Sequence, residues 1–145
     1  MAGIILDALR FIHGEQRIIL HAYVLMENHF HLVGSSAHFS DEMRKLKSFS
    51  ARMIVDRLKK DGDWATLANL KVNGQGSKSN QEYRVWEEGF HPKGITDGAI
   101  LRQKIEYIHN NPVRRGYVDI PEHWKYSSAR QYMGSEGLVP IEIIV

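Results

Sequence analysis

Three stretches of this 145-residue chain carry side chains whose types and spacing could do chemistry. The first is His29-Phe30-His31. On a β-strand, residues i and i+2 project from one face. Both imidazoles would therefore point together, while Phe30 and Leu32 point the other way into a core. Two imidazoles a few ångströms apart make a natural pair of metal ligands; two surface histidines on an edge strand fit the same spacing. The second is Tyr107 with Asn111, four apart and so neighbours on one helix face. The phenol oxygen can attack phosphorus and form a covalent bond, and the asparagine amide oxygen is a hard ligand suited to magnesium or manganese. A core-edge tyrosine and a helix-terminal asparagine are the plainer account. The third is basic surface. Arg44, Lys45, Lys47, Ser48 and Arg52 lie along one helix, and Arg114 and Arg115 follow Pro112. All could track a phosphate backbone, although a solvated charged face reads the same way.

Together the first two stretches suggest a divalent ion, Mg²⁺ or Mn²⁺, held by His29, His31 and Asn111 on an open face. Such an ion polarises a phosphate oxygen and orients the scissile bond. Free tyrosine has a pKa of about 10 and is a poor nucleophile at neutral pH, so the ion and nearby cations would have to help Tyr107. No dedicated general base is evident. The histidines at 13, 21, 38, 109 and 123 have no partner at ligand spacing and read as structural, while His91-Pro92 is placed near the site. A metal-dependent phosphodiesterase that uses water would need a cluster of acidic ligands, which the chain does not offer.

The elements that must position these groups follow from periodicity. Ile4–His13 reads as a helix with Ile4, Ile5, Ala8, Phe11 and Ile12 on its apolar stripe and Gly14 as its stop. Arg17–Met26 is β-prone and apolar on both faces, as a central strand would be. Glu27-Asn28 makes a tight turn, and His29–Gly34 returns as the second strand of a hairpin. Phe39–Lys60 is the strongest helix, with Ser40 as N-cap and Met43, Leu46, Phe49, Met53 or Ile54, and Leu58 on its inner face. The 62–81 stretch reads as a mobile loop, Tyr83–Glu87 as a strand, and Thr96–Asn111 as a helix capped by Thr96. Ile100, Leu101, Ile105 and Ile108 form its buried stripe, and Pro112 ends it. Residues 117–145 form a C-terminal extension to what is otherwise a single domain spanning 1–145.

Composition narrows the classes. Hydrophobic residues make up 43% of the chain and charged residues 25%, enough for a core under an ordinary polar surface. The net charge of +2 leans only mildly toward anionic partners. Zero cysteines exclude disulfides, thiolate metal sites and cysteine nucleophiles, and suit a reducing cytoplasm. No apolar stretch approaches the roughly 18 residues of a membrane span, and residues 1–7 show no signal-peptide pattern.

At the candidate residues the sequence resembles a known family. The run from His21 to Val33, through Met26-Glu27-Asn28-His29-Phe30-His31, is similar to the metal-site hairpin of single-tyrosine HUH transposases. Tyr107-Ile108-His109-Asn110-Asn111-Pro112-Val113-Arg114-Arg115-Gly116 resembles their nucleophile helix, and His123-Trp124-Lys125-Tyr126-Ser127-Ser128-Ala129-Arg130 the segment after it. The REP-associated tyrosine transposases are the nearest group, over about residues 4–132. The resemblance implies an α+β, ferredoxin-like antiparallel sheet with helices on one face. It also implies single-stranded or hairpin DNA as substrate, dependence on Mg²⁺ or Mn²⁺, a 5′-phosphotyrosine intermediate and a free 3′-hydroxyl. By position, His29 and His31 become metal ligands and Tyr107 the nucleophile. Asn111 takes the third ligand's place, where some relatives have glutamine; Glu27 stands where proline is common. Such proteins begin with a strand before the first helix, and this chain starts too late to contain it. The apolar Leu138–Val145 stretch is a candidate to add a strand instead. A homodimer and a monomer both occur in the family. The alternative within it is a DNA-hairpin binding protein without catalysis.

Overall fold

The computed structural model describes residues 1–72, 82–86, 94 and 97–144. Its centre is a two-stranded antiparallel hairpin, β1 (Ile19–Leu25) and β2 (Phe30–Ser35). Cross-strand partners run from Leu25 with Phe30 and Val24 with His31 to Ile19 with Ser35, and the register shifts at His21. Side chains alternate between faces, so the register sorts them. Tyr23, Leu25, Phe30 and Leu32 face one way; Ala22, Val24, Met26, His31 and Val33 face the other.

Each face has its own core. On the Tyr23 face lie α1 (Ala2–Gly14) and α2 (Phe39–Asp61), burying Leu6, Leu9, Ile12, Met43, Leu46, Ile54 and Leu58. On the Val24 face lies α4 (Gly98–His109), burying Ile105 and Ile108 against Ala22, Val24, Met26 and Val33. The α+β class and a ferredoxin-like, truncated arrangement hold, but the helices cover both faces rather than one. The reason lies in β1 itself, whose residues from Leu20 to Leu25 are all buried. A strand apolar on both sides must be covered on both.

β1's outer edge is closed by irregular chain. Met26 N–H donates to His29 O, which turns the even residues toward β2. The odd ones face outward: Leu25 N–H donates to Tyr126 O at 2.8 Å and Tyr23 O accepts from Ser128 N at 3.0 Å. Past the bulge, Leu20 O accepts from Glu142 N at 2.8 Å. The Leu138–Val145 stretch thus reaches this edge without forming a strand over its described part. The C-terminal extension is woven into the core, with Val139 fully buried and Trp124, Tyr132 and Ile144 packed on the α4 side.

Several local expectations are corrected. In α1 the buried set centres on Ile5, Ala8, Leu9 and Ile12, which leaves Phe11 54% exposed. In α2 the fully buried Ser50 takes the inward place expected for Phe49, which is exposed; Ile54, not Met53, packs inside. Ser50 fits because its hydroxyl accepts from Trp86 Nε1 at 3.0 Å and donates to Lys47 O. Helix α2 begins at Phe39 with His38, not Ser40, at the N-cap position and without a side-chain cap. It ends at Asp61, with Gly62 as its C-cap in the left-handed region at φ 70°.

The start of the expected 62–81 loop is a helix, α3 (Trp64–Leu70). Asp63 caps it by accepting from Thr66 N and Oγ1; the remainder, 73–81, lies outside the described residues. Tyr83 makes only a bridge to Lys71, so no strand forms there, and Glu87 lies outside the described residues. Asp97 caps α4 through Ala99 N–H at 2.7 Å; Thr96 lies outside the described residues. Ile100 is 46% exposed rather than part of the stripe. Helix α4 stops at His109, and a short turn, α5 (Asn111–Arg114), restarts with Pro112 in its first positions. Proline suits a helix start because its missing N–H has no intrahelical partner there.

Candidate active site

The hairpin turn presents the paired histidines. His31 lies opposite Val24, and His29 sits two residues earlier, so both project from the sheet face that α4 covers. Their ring centroids are 5.1 Å apart with planes at 86°. A ligated imidazole centroid stands roughly 3.2 Å from its ion when the metal–nitrogen bond is about 2.1 Å. Two ligands at roughly 90–105° would then hold their centroids roughly 4.5–5.1 Å apart, which matches. His29 Nδ1 lies 2.7 Å from Asn28 Oδ1. With the amide oxygen accepting, the proton sits on Nδ1 and Nε2 keeps the lone pair that a ligand needs.

Electrostatics favours the neutral, ligating form of both rings. Burial lowers the pKa of His29 below 6.5, with Arg115 adding to the effect and Glu27 opposing it. Burial likewise lowers that of His31, followed by the charges of His29, Arg114 and Arg115. Two imidazoles that resist protonation this way fit a divalent cation. Among the described residues no three His, Cys, Asp or Glu side chains converge on a metal position.

The helical half of the site is α4 with α5. Tyr107 is 57% exposed. The guanidinium carbon of Arg114 sits 4.0 Å from the centre of its ring, and Arg114 Nη1 donates to Tyr107 O at 3.1 Å. The Arg114 charge also acts on His31. Asn111, 7% exposed, lies at the start of α5. Between them His109 turns inward, where its Nε2 lies 2.7 Å from Ser128 Oγ and burial pushes its pKa down to about 4. Ser128 Oγ in turn accepts from Tyr23 N at 2.9 Å, so His109 ties α4 to β1. His21, the bulge residue, is also structural: its ring nitrogens meet Glu142 O and Ser35 Oγ.

The basic residues divide between the two sides of the sheet. Arg114 and Arg115 act on the histidines. Arg44, Lys45, Lys47, Ser48 and Arg52 belong to α2, which packs on the opposite face. There Arg44 is ion-paired with Asp41, and Lys45 lies 3.3 Å from Asp41 and 3.7 Å from Glu42. His91 lies outside the described residues.

Sequence reasoning missed a cluster beside the turn. Tyr117 Oη donates to Glu27 Oε1 at 2.7 Å, and this bond, ahead of the other influences, holds the Glu27 carboxyl below its ordinary range. Arg115 Nη1 stands 3.7 Å from the same oxygen. Tyr117 stacks on Trp124, whose Nε1 donates to Leu25 O at 2.8 Å. The density of aromatic residues from 117 to 126 was the only local signal.

A histidine pair suited to a metal, facing a helix with an exposed tyrosine under an arginine, describes a class of site, and relatives with informative names exist. A Haemophilus influenzae protein, provisionally designated a REP-associated tyrosine transposase, is 35% identical over 65 residues, covering 43% of this chain and 37% of that protein. An Escherichia coli K12 protein named REP-associated tyrosine transposase is 23% identical over 123 residues, covering 85% of this chain and 61% of that protein. The chain therefore spans less than two thirds of the length of either relative. No protein-family profile matches it, and no solved structure does.

Proposed function

We propose that this protein cuts and rejoins DNA strands as a tyrosine transposase, acting on single-stranded or hairpin DNA. The observation that carries the reading is the shared face: the strand register projects His29 and His31 from the side of the sheet covered by the helix bearing Tyr107. Arg114 lies over the phenol ring, and its charge acts on His31. The names of the two relatives support the same reaction class.

In this reading His29, His31 and the Asn111 amide oxygen hold Mg²⁺ or Mn²⁺, which when bound neutralises charge on the phosphate. Tyr107 Oη attacks phosphorus, forming the Tyr–O–P bond as the P–O3′ bond breaks. The phenol proton passes to solvent and the departing 3′-oxygen is protonated, leaving a 5′-phosphotyrosine and a 3′-hydroxyl. Reversal of these steps onto another 3′-hydroxyl rejoins the strand. Arg114 and Arg115 place the scissile phosphate by charge-assisted hydrogen bonds. The basic face of α2 would guide DNA that wraps past the site to the far side of the sheet.

The test is incubation with hairpin-containing single-stranded DNA and Mn²⁺, followed by a denaturing gel. The expected result is a protein–DNA adduct that Tyr107→Phe abolishes while binding persists. An equal adduct from the Phe variant would move the nucleophile elsewhere. Tight binding with no adduct from the wild type would favour a hairpin-binding protein without catalysis.

A further inference from the structure

Beside the paired imidazoles stands an aromatic ledge that the proposed reaction does not use. Tyr117 stacks on Trp124 with ring centroids 5.5 Å apart and planes 20° from parallel, and Tyr126 meets Trp124 edge-on at 6.0 Å. The ledge is pinned twice to the hairpin: Trp124 Nε1 donates to Leu25 O, and Tyr117 Oη donates to Glu27 Oε1. Both anchors lie within four residues of His29 along the turn, so the outer ring is held at the rim of the candidate site. Tyr117 is 47% exposed although Trp124 covers one of its faces. Cations edge the ledge. Arg115 stands 3.7 Å from Glu27, offsetting its charge, and the Lys125 ammonium lies 5.2 Å from the centre of the Tyr126 ring.

We propose that Tyr117 is a stacking platform for one unpaired base of a single-stranded nucleic acid, seated next to the His29–His31 pair. The proposal rests on the strand-cutting reading for its polymer and deepens it with a base subsite. A rigid open π-face bordered by guanidinium and ammonium groups matches a ligand that is aromatic at one end and anionic at the other, as a nucleotide is. A base inside a duplex has both faces covered by its neighbours and cannot use the platform. Every base has a π-face, so the subsite selects single strand over duplex rather than a sequence. The neighbouring phosphate of a base seated there falls toward Arg115, which acts on both imidazoles.

The test uses the full chain with EDTA present, so that strands are bound and not cut. Labelled single-stranded oligonucleotides of about twelve nucleotides, each with one abasic site moved a position at a time, are titrated by fluorescence anisotropy. The wild type is expected to lose about five- to a hundred-fold in affinity at one abasic position. Tyr117→Leu should weaken binding of the intact strand by a similar factor and flatten that profile. Tyr117→Phe, which keeps the ring, should retain it. A flat wild-type profile, or a dip that survives in Tyr117→Leu, overturns the proposal. The wild-type profile needs no variant, so a Leu variant that misfolds does not shield it. The Mn²⁺ adduct assay separates the two levels: adduct formation with a flat profile sinks the subsite alone, while no binding of single strands sinks both.

Discussion

His109 should make the fold sensitive to acid by a calculable amount. Its ring is 7% exposed, its Nε2 meets Ser128 Oγ, and burial lowers its pKa from 6.5 to about 4. The unfolded chain takes up the proton first as pH falls, because its histidine titrates near 6.5. The stabilisation is therefore complete above that value and is lost progressively down to about 4. The full difference is worth about 3 kcal/mol, most of it lost by pH 4.5. That is a large share of the roughly 5–15 kcal/mol stabilising an ordinary domain. The perturbation is His109→Gln, which keeps a hydrogen-bonding amide and removes the titration. Urea unfolding followed by tryptophan fluorescence at pH 7.5 and 4.5 gives the loss for each protein. The carboxylates and the other histidines are common to both, so they cancel in the comparison. The wild type should lose about 2–3 kcal/mol more than the variant between the two pH values. Equal losses would mean that the ring is solvated in the folded state, and the account of its burial would fail.

Two further outcomes follow from the geometry. Mn²⁺ binding, measured by electron paramagnetic resonance, should persist at pH 6.5 and weaken only below the ordinary histidine value, because burial and neighbouring cations lower the pKa of both His29 and His31; His29→Ala should abolish it, and unchanged binding would reject the paired-imidazole ligand set. Gly34→Ala would place a Cβ 2.7 Å from Ile18 Cγ2 and 3.0 Å from Ile19 O, so thermal denaturation should show a loss of about 1–3 kcal/mol, and a neutral effect would show that the hairpin end relaxes freely.

What could be read from the sequence was local. The strict two-residue period of a strand placed His29 and His31 on one face, and the hundred-degree step of a helix placed Tyr107 on the flank of the apolar stripe with His109 turned away from it. Those periods do not say what lies against each face. The two-sided burial of β1 was visible in its composition, yet the helices were expected on one side only. Phe11 and Phe49 show the limit of stripe reading: an apolar side chain beside the stripe is indistinguishable from one within it until the neighbouring helix is in place. The α3 helix was hidden because its seven residues are too few for a period to emerge, though Asp63 and Thr66 carried its cap. The break between His109 and Asn111 was anticipated at Pro112 but fell two residues sooner. The Tyr117–Glu27 and Trp124–Leu25 contacts join residues 90 and 99 apart, and no local pattern encodes them.

The irregular segments along the edge of β1 impose an order on synthesis. Tyr23 meets Ser128 across 105 residues, so the strand leaves the ribosome long before its closing partners exist. At about 5–20 residues per second the wait lasts roughly 5–20 s. Through that interval the nascent hairpin offers open backbone donors and acceptors to any other chain. Contacts this distant also slow spontaneous folding. Yield in a living cell should therefore depend on how well chaperones shield residues 19–35 while residues 124–142 are being made.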